Sequence, residues 1–228
     1  MFQSHSYCQA FSSLIREHWS ELNAFTPTAH FGRNEVLFSV GDPPDAMYLI
    51  ESGRVKVSLI SDEGEEKIVG ICRKGEVVGE VCLCNRGPRE NQAVALETVE
   101  VTSFRVDVLL RVLKNKPDTI FSLLMVFCAR IHDYQQQVAS LAFDEVRGRL
   151  AKEMLRLSEL PEGQTKRGPL KLPVRLTHHE LADLVSTTRD NVTRIMNEFR
   201  RDGLIDYRRE RISIFPDRLE DYLRRQGA

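Results

Sequence analysis

The stretch from Leu176 to Ile205 constrains this chain most, because a helix start, a tight turn, an apolar stripe and a helix stop all fall within it. Thr177 and Glu180 form a T-x-x-E capping box, which fixes the first turn of a helix by reciprocal hydrogen bonds to orphan amides. Leu181, Leu184 and Val185 follow at helical spacing. After Ser186 the pattern restarts, with Thr187 or Thr188 as a second cap. Val192, Ile195, Met196 and Phe199 then recur at i, i+3, i+4 and i+7, and Gly203 stands where a C′ glycine ends a helix. Two short helices joined by a turn are expected.

The polar face of the second helix carries Arg189, Asp190, Thr193 and Arg194 in its first half. A helix-turn-helix lays the early residues of its second helix against base edges in the major groove. Arginine donates twice to guanine O6 and N7, and a carboxylate accepts from cytosine N4. A charged helix face is ordinarily just a solvated one. Here cap, turn, stripe and stop coincide, which favours DNA reading.

The 228 residues suffice for one large domain or two small ones, and 42% apolar with 29% charged residues is ordinary for a globular chain. No signal peptide is evident, and no apolar run reaches bilayer length, so a cytoplasmic chain without a membrane partner is expected. Five cysteines outside a secretory context argue against structural disulfides. The net charge of -1 hides an asymmetry. From Asp144 onward 18 Lys and Arg face 15 Asp and Glu, whereas 14 face 18 before it. A basic C-terminal part beside an acidic N-terminal part suits a DNA-binding module joined to something else.

In chain order, a helix is expected near Ser6–Leu22, with Phe11, Leu14, Ile15 and Leu22 apolar and Trp19 in the core. From His30 to Asp107 short alternating runs appear: 36–38, 47–50, 55–60, 67–71, 93–96 and 99–101. Turn residues such as Gly53, Gly64 and Gly75 punctuate them, which indicates a β-sandwich or roll. A helix begins at Val108–Leu113, and a long one runs from Pro117 to about Ala142. Ile120, Leu123, Leu124, Phe127, Ile131, Tyr134, Val138 and Leu141 keep spacings of three and four along it. This stripe either packs on the roll or forms a coiled-coil-like seam with a second copy; the dimer is preferred, since two-fold proteins match palindromic DNA.

Asp144 is expected to cap a further helix over 145–158, with Val146, Leu150, Met154 and Leu157 buried. A loop spans Pro161 to Pro169, a strand Leu170 to Val174, and a hairpin closes around Arg209–Glu210, so the helix-turn-helix is winged. Asp217–Arg225 closes as a short helix. The fold class is therefore α+β. Three parts are expected: residues 1–115 as a sensor roll with its N-terminal helix, 116–143 as a dimerisation helix, and 144–228 as a winged helix-turn-helix.

This order resembles the CRP/FNR family of bacterial transcription regulators over nearly the whole chain. Gly75-Glu-Val-Val-Gly-Glu80 with Gly87-Pro-Arg89 is similar to that family's phosphate-binding cassette in a cyclic-nucleotide roll. Residues 141–150 resemble its hinge and first DNA-domain helix, and Thr188-Arg-Asp-Asn-Val-Thr-Arg-Ile195 resembles its recognition helix. The resemblance implies base reading by Arg189, Asp190 and Arg194. The cyclic-AMP branch has Glu where Asp190 stands, one methylene longer. Thr177, His178, Thr188, Thr193, Arg200, Arg201 and Arg209 are expected at phosphates, which position without reading sequence. Arg208 and Arg211 are further wing candidates. RNA polymerase is the protein partner the resemblance implies.

By the same resemblance, Gly79 and Glu80 would hold a ribose and Arg89 a cyclic phosphate. Glu90 replaces the family's serine, and a carboxylate beside a phosphate repels it by about 1 kcal/mol in water at contact distance. Tyr134 and Gln135 stand where the cyclic AMP receptor protein has Thr-Ser against adenine. The expected effector is therefore a cyclic nucleotide or another small molecule, not necessarily cyclic AMP. Only Cys8 lies near the N-terminus, which does not fit an FNR-type iron–sulfur cluster. Cys82-Leu-Cys84, read as one side of a strand, is either a redox pair or two small buried residues. The competing function is a ligand- or redox-sensing protein-interaction module without productive DNA binding. No nucleophile–base pairing, P-loop or metal motif suggests an enzyme.

Overall fold

The computed structural model describes residues 28–83, 87–114, 117–158, 168–208 and 211–226. The helix expected near Ser6–Leu22, Cys84, most of the loop Pro161–Pro169, and Arg209 lie outside the described residues. Two compact units divide between Gln136 and Gln137, within the long helix.

The first unit is a roll of two four-stranded antiparallel sheets. One has the order β1 (Ala29–Phe31), β8 (Val99–Arg105), β3 (Ala46–Ser52), β6 (Val77–Val78). The other has β2 (Val36–Phe38), β7 (Asn91–Ala95), β4 (Arg54–Ile60), β5 (Glu66–Arg73). Alternation along the strands gives each sheet an inward apolar face. Phe38, Val55, Val57, Cys72, Ala93 and Ala95 of the second sheet meet Ile50, Val78, Val99 and Val101 of the first. The first sheet's other face, through Met47, Leu49, Val77 and Phe104, packs on α1 (Val106–Leu113) and α2 (Pro117–Phe143). β1 and β6, of three and two residues, lie outside the alternating runs of the sequence.

The stripe expected on the long helix α2 divides in two. Leu123 and Val126 are buried in the roll's helical layer, with Phe127 packed at its edge. Ile120, Leu124, Ile131, Tyr134, Val138 and Leu141 are exposed. With Phe127 these keep alternating spacings of four and three, the heptad pattern of a seam.

The second unit contains α3 (Val146–Leu157), β9 (Leu170–Lys171), α4 (His178–Val185), α5 (Arg189–Arg201), β10 (Ile205–Arg208), β11 (Arg211–Ile214) and α6 (Pro216–Gln226). Leu150, Met154 and Leu157 are buried as expected, whereas Val146 is only half-buried. Asp144 does not cap α3. Glu145 is the N-cap residue, without a side-chain cap bond. The Asp144 carboxylate instead accepts from Ser140 Oγ and Lys152 Nζ, both at 2.6 Å. Strand β9 stops after Lys171, short of the expected Val174, although Leu172 N still donates to Ile212 O at 2.9 Å. The wing is a three-stranded sheet in the order β10-β11-β9.

Candidate nucleic-acid interface and effector pocket

The capping box is formed as the sequence requires. Glu180 N donates to Thr177 Oγ1 at 3.1 Å, and Thr177 N donates to Glu180 Oε2 at 2.6 Å. Helix α4 ends at Ser186, a non-glycine residue at φ 52, ψ 68. This left-handed residue makes the turn tight enough for Thr188 to cap α5, accepting from Asn191 N at 3.3 Å. Arg149 ties the turn to α3 by donating to Val185 O at 2.9 Å and Ser186 O at 3.3 Å. No sequence signal marked that strut, since its partners are backbone carbonyls 36 and 37 residues away.

Val192, Ile195, Met196 and Phe199 are fully buried. The Phe199 and Tyr222 rings meet in a T-shaped contact, with centroids 5.5 Å apart. Gly203 closes the end of α5 at φ +70, a conformation costly for side-chain-bearing residues. Burial of one face leaves Arg189, Asp190, Arg194, Arg200 and Arg201 exposed on the rest of the helix. Arg194 is steered along the helix surface. Its Nη1 donates to Glu198 Oε1 at 2.7 Å and its Nη2 to Asn191 Oδ1 at 2.8 Å. Glu198 also pairs with Arg147 of α3 at 3.3 Å. Thr177 and Thr188 are exposed at the starts of α4 and α5, where backbone amides and the helix dipole favour anions. His178 and Thr193, both expected at phosphates, are bonded to one another. His178 Nδ1 lies 2.8 Å from Thr193 Oγ1, and its Nε2 lies 2.9 Å from the Tyr207 hydroxyl.

In the roll, Arg89 is buried. Its Nη2 donates to Ala46 O at 2.5 Å, and its guanidinium lies 4.0 Å over the Phe38 ring. Its Nε is buried without a hydrogen-bond partner among the described residues. Phe38 in turn stacks on Tyr48 at 5.8 Å. Burial pushes the Tyr48 phenol up, against the pull of the Arg89 charge. Gly79 is what lets the guanidinium in. Its φ is +83, and a Cβ there would sit 2.9 Å from Arg89 Nη1. Glu80 is buried at the start of a 3-10 turn (Glu80–Leu83) and pairs with Arg130 of α2, Oε1 to Nε at 3.5 Å. Arg130, absent from the sequence reading, also donates to Cys72 Sγ at 3.0 Å and Val77 O at 3.2 Å. Glu90, Tyr134 and Gln135 are exposed, so the structure buries Gly79's neighbours Glu80 and Arg89 but leaves the other three expected pocket residues at the surface. Burial still raises the Tyr134 phenol pKa, with Arg130 opposing it.

Cys82 lies in the 3-10 turn rather than on a strand, buried in the layer between the first sheet and the helices. Burial pushes the Cys72 thiol up to about 11, so the neighbouring Arg130 does not make it a thiolate at neutral pH. Among the described residues no group of three His, Cys, Asp or Glu could hold a metal ion, and no helix is long and apolar enough to cross a membrane.

The family model for the cyclic nucleotide-binding domain matches residues 28–116, and that for the Crp-like helix-turn-helix domain matches residues 148–222. The chain is 31% identical over 175 residues to a CRP-like cAMP-activated global transcriptional regulator of Mycobacterium tuberculosis, covering 77% of this chain and 78% of that one. It is 28% identical over 194 residues to a global nitrogen regulator of a Nostoc species, covering 84% and 86%. Among solved structures, the c-di-GMP-responsive global regulator CLP of Xanthomonas campestris matches with a TM-score of 0.75 at 22% identity, covering 88% of this chain and 99% of that one. A CRP/FNR-family transcriptional regulator of Thermus thermophilus matches with a TM-score of 0.71 at 24% identity, covering 87% and 98%. These two speak for the fold alone. The sequence relatives are transcriptional regulators rather than enzymes. An α+β chain with a cyclic-nucleotide-type roll, a Crp-like helix-turn-helix and such relatives belongs to the CRP/FNR family of DNA-binding transcriptional regulators.

Proposed function

We propose that this chain is a homodimer that reads a palindromic DNA site with α5 and is controlled by a small anionic effector at the roll. Residues 1–115 sense, 116–143 pair the two copies, and 144–228 bind DNA. The observation that carries the proposal is the division of α5 into a fully buried stripe and an exposed face bearing Arg189, Asp190 and Arg194. On DNA, Arg189 and Arg194 donate to guanines and Asp190 accepts from a cytosine. Thr177, Thr188, Arg200, Arg201 and Arg209 face phosphates. The exposed heptad of α2 supports pairing with a second copy, because an apolar seam this long is otherwise left in water.

Arg89 supports an anionic effector. It is a buried cation met by a carbonyl and an aromatic ring, with one nitrogen unpaired among the described residues. The name of the Mycobacterium relative refers to cyclic AMP, whose cyclic phosphate is an anion of this kind. Glu90 is exposed where Arg89 is buried, which keeps its carboxylate on the solvent side. Effector binding would bias α2 and the hinge between two arrangements of the reading helices. A cytoplasmic setting and RNA polymerase as protein partner complete the proposal.

Replacing Arg189 and Arg194 together with alanine is expected to abolish preference for a selected palindrome over random duplex, measured by gel shift with and without cyclic AMP. Unchanged preference would overturn the proposal and favour a sensing module that acts through protein contacts.

A further inference from the structure

His178, Thr193 and Tyr207 form one hydrogen-bond chain across three elements: α4, α5 and the wing strand β10. Its direction follows from counting protons. Thr193 Oγ1 donates its only proton to Arg189 O at 3.0 Å. It therefore accepts from His178, whose Nδ1 must carry a hydrogen. In a neutral imidazole the other nitrogen is then an acceptor, and at 2.9 Å it takes the Tyr207 hydroxyl proton. The chain runs Tyr207 O–H to Nε2, then Nδ1–H to Thr193 Oγ1, then Thr193 O–H to the carbonyl of Arg189. It ends on the backbone of a residue expected to read bases, and neither ring nitrogen of His178 remains for a phosphate.

We propose that His178 and Tyr207 are positioning residues for DNA reading, which hold the first turn of α5 and the wing to α4 as one unit while His178 is neutral. The inference rests on α5 being the DNA reader. An imidazolium would aim a second N–H at the tyrosine hydroxyl, forcing Tyr207 to turn its proton away and seek another acceptor. The surrounding charges oppose that state. Burial and then the Arg189 guanidinium lower the His178 pKa below its ordinary 6.5. Burial pushes the Tyr207 phenol up to about 12 against the nearby Arg200, so the tyrosine stays a donor. On α4 itself, Glu180 is committed to the capping box, and His179 pairs with Asp183 at 3.0 Å. The sign is fixed by the lowered pKa: the chain is intact above the ordinary histidine value and is lost as pH falls through the folded one.

The test uses the full chain, a preferred duplex selected from a randomised pool with and without cyclic AMP, and a random duplex of equal length. The readout is the ratio of the two affinities, followed from about pH 7.5 down past the ordinary histidine pKa to the lowest pH at which the chain stays folded. The wild-type ratio is expected to fall severalfold at the lower pH. Tyr207→Phe and His178→Ala should lower it about tenfold at the higher pH, since each strands a polar group. His178→Gln, which keeps one donor and one acceptor, should hold the ratio and lose the pH dependence while His179 remains. Thermal melts by circular dichroism check folding, and Thr193→Val breaks the chain's middle link at nearly constant volume if His178→Ala melts early. A discriminating wild type with indifferent Tyr207→Phe and Thr193→Val variants overturns this inference alone. A wild-type pH response in His178→Gln does the same. A wild type without any preferred duplex overturns the DNA-reading proposal, and this inference with it.

Discussion

The reading face and the roll's pocket hold their charged groups in opposite ways. On α5, Arg194 is steered by Glu198 four residues on and Asn191 three residues back. Thr177 meets Glu180, and Thr188 meets Asn191, each at a separation of three. In the pocket, Arg89 reaches a carbonyl 43 residues away, and Arg130 reaches Cys72 and Val77 at separations of 58 and 53. The hydrogen bonds of Arg194 are local and wet; those of Arg89 and Arg130 are non-local and largely dry. A local wet network can be altered without unfolding its surroundings, whereas a dry one is part of what keeps the roll closed.

Arg130→Ala leaves the Glu80 carboxylate without its pair and removes the bonds to Cys72 and Val77. It should cost the roll about 2–4 kcal/mol in urea unfolding, less than a wholly buried pair because both groups keep some solvent contact. Gly79→Ala comes next, at about 1–2 kcal/mol, from a positive φ and a clash with the Arg89 guanidinium. Thermal melts should register it. In the other region, Thr177→Ala removes a cap worth about 1 kcal/mol, read as faster amide exchange in the first turn of α4. Arg194→Ala should change stability by under about 0.5 kcal/mol, because its ion pair is exposed. If Arg194→Ala destabilised the chain as much as Arg130→Ala, the contrast would collapse.

That same difference explains what could be read in advance. The helix-turn-helix announced itself because caps, stripe and stop are short-range patterns, and both caps and Gly203 stand where the spacing requires. The two-sheet roll was legible in outline from its alternating runs. The Asp144 cap failed because Ser140 and Lys152 compete for the same carboxylate, and the strand at Cys82 failed because the chain turns there after Gly79. The α2 stripe was legible, but its split between a roll-facing and an exposed side was not. A period of three and four does not say which neighbours lie on each side.

By itself the sequence determined an α+β chain with a roll, a long apolar helix and a winged helix-turn-helix, because periodicity and capping act within a few residues of one another. Only the tertiary structure decided that Arg130 would answer Glu80 and that Arg89 would lie over Phe38 beside Gly79. It also decided that His178 would bridge Thr193 and Tyr207 instead of facing outward. Each of those contacts joins residues on separate elements, so it exists only once the hydrophobic layers have brought the elements together. Burial then makes an unmade hydrogen bond costly, and that cost selects which distant partner each polar group takes.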